Sequence, residues 1–360
     1  MESNYDVENK KKFYSNNFDL IRLFAALQVV HVHLITILGV QITVFHNFLV
    51  KFFGFFPGVP IFFFISGFLI TRSWMASSGV KNFFRKRALR IFPALIFSVF
   101  LALVLVILSG YYTSENMSLK DLLVIFLAKI TFFQFYNPDM LRGYGDGVLN
   151  GSLWTITVEL QFYILTPILF FIIQRCRGGL SFNLFMIGVF VLFYIASAYI
   201  KYQFLTGELS TFKKLVRVSF IPWFYMFILG ALFQINFNFF YRILSGKFLI
   251  MLLLYITVAM FVLWKGGNSD FGNLMNPILF LILAALIFSA AYSNVKLSDQ
   301  LLNGNDISYG AYIYHMPFIN WIIFNNFNPS YGLALGLFLF IIVFSAVSWF
   351  LLERPCIRLK

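Results

Sequence analysis

The chain has 360 residues, 60% of them hydrophobic and 11% charged, with fifty phenylalanines and a mean hydropathy of +0.84. A soluble domain carries a charged share nearer ~25% and has no core able to hide this much apolar surface, so a soluble enzyme, a disordered chain and a disulfide scaffold are excluded in favour of an integral membrane protein. A net charge of +13 would suggest nucleic acid in a soluble protein; here it reports basic loops beside anionic lipid, and no nucleic-acid partner is expected.

Residues 1–17 are polar and predict a cytoplasmic tail. Lys10, Lys11 and Lys12 precede the first apolar run without a small-residue cleavage site, which reads as a signal anchor. A spanning helix takes about 20 apolar residues. Ten runs meet or approach that length, at 18–38, 48–71, 91–109, 152–173, 182–200, 218–235, 248–264, 274–292, 307–324 and 331–352. In lipid every backbone group must be bonded within its own segment, so the expected fold is all-α, a polytopic transmembrane helical bundle of ten spans. An eleventh run, 121–136, is short and carries Lys129 in its middle. A central lysine costs roughly 2.5–3.5 kcal/mol on insertion, so a re-entrant or interfacial piece is expected there, with eleven spans as the alternative.

Ionisable side chains inside such runs are functional candidates. In the first run Arg22 and His33 are eleven residues apart, about 20° past three full turns, so they share a helix face at a separation of roughly 16 Å. His31 falls about 180° from Arg22. His33 reads as a general base with Arg22 binding an anion nearer the cytoplasm, or as a packing histidine beside a snorkelling arginine. Ser66 and Gly67 are small residues that let helices approach closely. The basic loop that follows holds Arg72, Lys81, Arg85, Lys86, Arg87 and Arg90. Arg87 and Arg90 share a face if helical; they read as a topology signal or as a dock for a phosphorylated cofactor.

Further on, 137–151 is polar, with Asp139, Arg142 and Asp146 as sugar-contact candidates. Glu159 lies inside an apolar run with Tyr163 one turn on, and reads as a partner that orients His33 or helps position the acceptor, or as half of a structural pair with an arginine. Cys176 and Cys356 lie beside arginines and form no metal or disulfide pattern. Tyr309, Tyr312 and His315 recur at steps of three before Pro317, which should free the carbonyl of residue 313. The terminal ERP reads as a helix end, or as an ion pair of Glu353 and Arg354 that fixes the basic pocket.

In this order the pieces resemble the membrane acyltransferase-3 family, which includes bacterial integral-membrane O-acetyltransferases of surface polysaccharides. The resemblance runs from about residue 18 to 358. It rests on Arg22–x10–His33, ISGFLIT at 65–71, Arg87–x2–Arg90 followed by IFP, SLWTITVELQFY with Glu159, ISYGAYIYHMP, and ERP at 353–355. It implies catalytic roles for His33, Glu159 and Arg22. It implies that Arg87, Arg90, Arg85 and Arg354 bind a cytosolic acyl-CoA, with acetyl-CoA the expected donor and no metal. Tyr163, Trp154, Tyr312 and His315 are then assigned to the acceptor, a hydroxyl of a cell-surface or lipid-linked carbohydrate, and Glu353, Ser66 and Gly67 to structure.

The resemblance also implies a bacterial cytoplasmic (inner) membrane, with residues 18–358 as one membrane acyltransferase domain. Some relatives add an extracytoplasmic hydrolase-like domain; none is expected here. VPIFFF lacks an acidic residue before the ISGFLIT segment, and VEL stands where VEE is more usual, leaving one carboxylate. Two rival readings are a transporter or flippase of a lipid-linked glycan or small anion, and a succinyl or other acyl transferase of the same family. The sequence shows no inverted repeat, and the basic loop has no obvious use in a transporter.

Overall fold

A computed structural model of the chain describes residues 15–41, 43–113, 117–173, 179–206, 210–267 and 272–359. Lys10, Lys11 and Lys12, and the Arg175, Cys176 and Arg177 cluster, lie outside the described residues. Among the described residues every regular element is helical. In chain order they are α1 (Phe18–Ile37), α2 (Val44–Gly54), α3 (Gly58–Met75), α4 (Val80–Leu108), α5 (Leu119–Lys129), α6 (Trp154–Ile173), α7 (Gly179–Thr206) and α8 (Thr211–Arg217). There follow α9 (Phe224–Ile235), α10 (Phe237–Leu244), α11 (Phe248–Trp264), α12 (Pro277–Ala291), α13 (Leu297–Leu302), α14 (Ser308–Phe324) and α15 (Tyr331–Ser348). The last runs through a π turn at Trp349–Glu353 into α16 (Arg354–Ile357).

Each of the ten apolar runs carries a helix, but length separates them. Six helices are long and apolar enough to cross a membrane, or seven if α9 and α10, bent by 89° at Asn236, make one broken span. This makes the chain a multi-pass membrane protein, and among the described residues six or seven of the ten or eleven expected crossings have a helix of full length. The shortfall lies in α11, α12 and α14, which have 17, 15 and 17 residues where a crossing takes about 20. The run at 121–136 gives only the eleven residues of α5, about 16 Å long, and Lys129 at its end is buried with its ammonium donating to the Gln134 carbonyl at 2.7 Å.

Two helices are buried nearly all round and organise the rest, α9 and α14. Helix α9 crosses α3 at glycine. A Cβ on Gly67 would stand 2.0 Å from the Phe227 carbonyl oxygen, and one on Gly230 would stand 2.1 Å from that of Phe64. The absent side chains let the two backbones touch, and phenylalanines fill the space beside the crossing, with Phe162 and Phe227 rings 4.6 Å apart. By contrast α11 buries only Tyr255 and Ala259 and turns its leucines outward, as a lipid-facing helix does.

Helix α14 packs against α1, α4 and α15. Pro317 lies inside it and has no N–H to give the Ile313 carbonyl. That carbonyl is bonded instead by Ser98 Oγ at 3.0 Å and Asn150 Nδ2 at 2.9 Å, so the helix runs on unbroken. The basic loop expected through residue 90 is also helical. Helix α4 starts at Val80, where no Gly or Pro interrupts the chain until Pro93 and Phe83 is fully buried against Trp74. At 29 residues it is about 44 Å long and overruns a ~30 Å hydrocarbon core, carrying Arg85, Arg87 and Arg90 on its first turns.

Candidate functional site

Two contacts join α1 to α14, and both residues of the sequence pair make one of them. Arg22 Nη1 donates to Asp306 Oδ2 at 2.5 Å, just before α14 begins. Eleven residues further along α1, His33 Nδ1 lies 2.9 Å from His315 Nε2. The shared face inferred from spacing is thus the face that meets α14. His31 points elsewhere, with its ring 6.1 Å from Phe53 and 6.3 Å from Phe338.

The Arg22 end opens into a cavity of about 460 Å³. Arg22, Arg72, Lys86, Arg87 and Arg90 line it against Asp19, Asp306 and Glu159, so five cations face three carboxylates and the space favours an anionic guest. Arg90 pairs with the same Asp306 oxygen as Arg22 and lies over the Trp349 ring at 5.8 Å. Burial alone would raise the Asp306 carboxyl, but the Arg22 and Arg90 guanidiniums hold it well below the usual carboxylate range. Arg87 lies over the Tyr163 ring at 5.9 Å, and the Tyr163 hydroxyl donates to Glu159 Oε1 at 2.6 Å. Ser66 lines the cavity too, one residue before the glycine crossing.

Phe62, Thr155 and Tyr312 also line the cavity. Tyr312 is fixed by the Thr155 hydroxyl, which donates to its oxygen at 2.9 Å, and by the edge of Phe62, ring centroids 5.5 Å apart. The histidine pair lies one step beyond, with the His315 ring 6.1 Å from that of Tyr312 and fully buried. Neither His33 nor His315 lines the cavity, so Tyr312 stands as a wall between the basic space and the imidazoles.

The other expected residues divide. Glu159, expected beside His33, is instead engaged by Tyr163 inside the basic cavity. Tyr163 and Tyr312, assigned to the acceptor, both face that same cavity. Trp154 packs in an aromatic cluster, 5.0 Å from the Trp223 ring, and does not line it. Arg85 donates to the Leu359 carbonyl at 3.0 Å, and Arg354 lies over Phe350 at 5.5 Å; both are off the cavity wall. Glu353 and Arg354 form no ion pair among the described residues, because the π turn carries the Glu353 carboxylate into the interior, where its oxygens have no hydrogen-bond partner.

At the far end of α14, Asn320 holds the 137–151 loop. It donates to the carbonyls of Val148 and Leu149 at 2.7 and 3.2 Å, and its Oδ1 accepts from the Asp146 N–H at 3.1 Å. Asp139 and Arg142 on this loop are exposed. Asp306 and Asp19 are charged site residues that sequence reasoning missed; an acid within two positions of a helix start was the available signal for both. Among the described residues no group of three or more His, Cys, Asp or Glu side chains is arranged to hold a metal ion.

Comparison with known proteins identifies the family of the chain. The acyltransferase-3 family model, described as an acyltransferase domain, matches residues 15–354. Nodulation protein 10 of Rhizobium leguminosarum bv. viciae is 31% identical over 360 residues, covering 96% of this chain and 94% of its own length. The O-acetyl transferase of Shigella phage Sf6 is 29% identical, covering 94% and 95%. The peptidoglycan O-acetyltransferase OatA of Listeria monocytogenes is 30% identical over 123 residues, 32% of this chain and 19% of that protein. No solved structure matches the chain.

Proposed function

The chain belongs to the acyltransferase-3 family, and from that premise we propose that it moves an acetyl group from cytosolic acetyl-CoA to a hydroxyl of a cell-surface or lipid-linked carbohydrate. The observation that carries this reading is the cation-lined cavity, one of whose lining residues, Tyr312, lies 6.1 Å ring to ring from His315, the partner of His33. Arg22, Arg87 and Arg90 grip the donor's phosphates, as planar guanidiniums suit phosphate oxygens. The thin pantetheine arm runs towards Tyr312, which brings the thioester to the side of the cavity next to the histidine pair.

His33 acts as general base. With its Nδ1–H donated to His315 Nε2, its own Nε2 keeps the lone pair that takes the acceptor's hydroxyl proton. The alkoxide oxygen attacks the thioester carbonyl, the tetrahedral species collapses with loss of the C–S bond, and His33 returns the proton to the CoA sulfur. Glu159 and Tyr163 sit with Arg87 at the donor end, and His315 takes the orienting role. The acceptor approaches at the Asn320 end, beside the 137–151 loop. The N-terminus and the basic cavity face the cytoplasm of a bacterial inner membrane, as the positive-inside rule requires of Arg85, Lys86, Arg87 and Arg90, and the described residues from α1 to α16 act as one membrane domain.

The test is turnover. Protein purified in detergent and given acetyl-CoA with extracted surface glycan should release free CoA thiol and add 42 Da, the mass of an acetyl group by arithmetic, to the glycan. Saturable transport of a glycan or anion with no thiol release would overturn the reading.

A further inference from the structure

Three helices converge on one oxygen atom. Arg22 comes from α1, Arg90 from α4, and both guanidiniums meet Oδ2 of Asp306 at the entrance to α14. The other carboxylate oxygen, Oδ1, accepts from the backbone N–H and the hydroxyl of Ser308. All three side chains are largely withdrawn from solvent, at 19%, 13% and 6% exposure for Arg22, Arg90 and Asp306, and all three line the basic cavity.

We propose that Asp306 is a positioning residue of the donor site: its charge holds Arg22 and Arg90 together at the spacing that receives a donor phosphate. The proposal rests on the acyl-CoA reading above. Its physical basis is the behaviour of like charges where water is scarce. Two guanidiniums sharing so little solvent repel, and without an anion between them they would splay towards separate partners. Asp306 removes that repulsion and uses one N–H from each. A guanidinium has five N–H donors, so each arginine keeps free hydrogens for a ligand. Asp19, 3.8 Å from Arg22 Nη1, brings a second carboxylate to the pair, and the cavity stays net positive because Arg72, Lys86 and Arg87 line it as well, five cations to three carboxylates. Oδ1 is tied to the first turn of α14, which fixes the shared oxygen, and through it both arginines, to the helix that bears Tyr312 and His315. The donor grip and the base thus share one frame.

A simpler role for Asp306 would be to cap α14. Asparagine separates the two, because it caps a helix about as well as aspartate but has no charge. In detergent-purified protein, Asp306→Asn should keep the melting temperature near that of the parent. It should raise the KM for acetyl-CoA and its directly measured Kd about tenfold or more, the loss expected when charged hydrogen bonds lose their counter-charge, with kcat changing far less. Asp306→Glu, which keeps the charge, should lie closer to the parent than Asn does. Ser308→Ala, which weakens the cap and spares the charge, should leave KM within about twofold. If Asp306→Asn does not accumulate, Asp306→Ser, another capping residue without charge, replaces it. An unchanged KM and Kd in the uncharged variant, or a loss in kcat alone, overturns the proposal. Parent protein that neither binds nor turns over acetyl-CoA fails at an earlier step: that result sinks the acyl-CoA reading and the Asp306 role with it.

Discussion

An imidazole in the interior of a membrane protein is useful to catalysis only if one nitrogen is held and the other is left to work. In the proposed reaction His33 would meet that condition through His315, whose Nε2 lies 2.9 Å from its Nδ1. We expect His33→Ala to lower acyl transfer by about 10²–10⁴-fold, the usual contribution of a positioned base, when surface glycan acylation is measured in cells at matched protein level. His31→Ala should cost no more than a few-fold, because that ring packs against Phe53 and Phe338 on the other side of α1. Equal loss in the two variants would break the link between the α14-facing side of α1 and the chemistry. The Arg22–His33 face was legible because it depends only on helical rise and turn. Their partners were not. His315 and Asp306 lie more than 280 positions away, and which side chains they meet depends on how α14 docks on α1. Glu159 was misplaced for the opposite reason. A hydroxyl four residues on in the same helix, Tyr163, satisfies it locally before any distant histidine enters.

Helices in lipid associate without a strong hydrophobic drive between them, so close packing and bonded backbone groups decide where they cross. The α3–α9 crossing depends on Gly67 and Gly230, whose missing side chains leave backbone against backbone. We expect Gly67→Ala to destabilise the protein by about 3 kcal/mol, at the upper end of overpacking costs, since the atom a methyl would strike is the Phe227 carbonyl and cannot swing away. Gly188→Ala, on lipid-facing α7 with nothing within 4 Å of the added methyl, should be neutral or slightly stabilising. Apparent melting temperatures in detergent separate the two, and a Gly67→Ala protein that melts with the parent would show that the crossing has slack. At this scale composition located every apolar run but not its ends. Helix α4 begins eleven residues before its apolar run, where Phe83 packs against Trp74. The α9–α10 bend at Asn236, which exchanges amide hydrogen bonds with Asn183, carries no breaker in the sequence. The carbonyl freed by Pro317 was foreseeable; that Ser98 and Asn150 would bond it was not, because one comes from α4 and the other from the 137–151 loop.

Across the whole molecule α14 works as an axis with two chemically different ends. Asp306 and the five-cation cavity lie at its start, Tyr312 and His315 one to two turns in, and Asn320 with the 137–151 loop towards its finish. In the proposed reaction an anionic donor would enter at the first end and a polar, uncharged sugar at the second, so that the two substrates would approach the histidine pair from opposite sides. The prediction is one of sidedness. Acetyl-CoA does not cross a bilayer, so inside-out vesicles carrying the protein and an acceptor glycan should release CoA thiol when acetyl-CoA is added to the bath. Right-side-out vesicles should do so only after permeabilisation. Arg87→Ala should reduce the rate in the first preparation by weakening the grip on the donor, leaving the requirement for permeabilisation in the second unchanged. Equal thiol release from both intact preparations would place the donor entrance on the outer face and reverse the assignment of the two ends of α14.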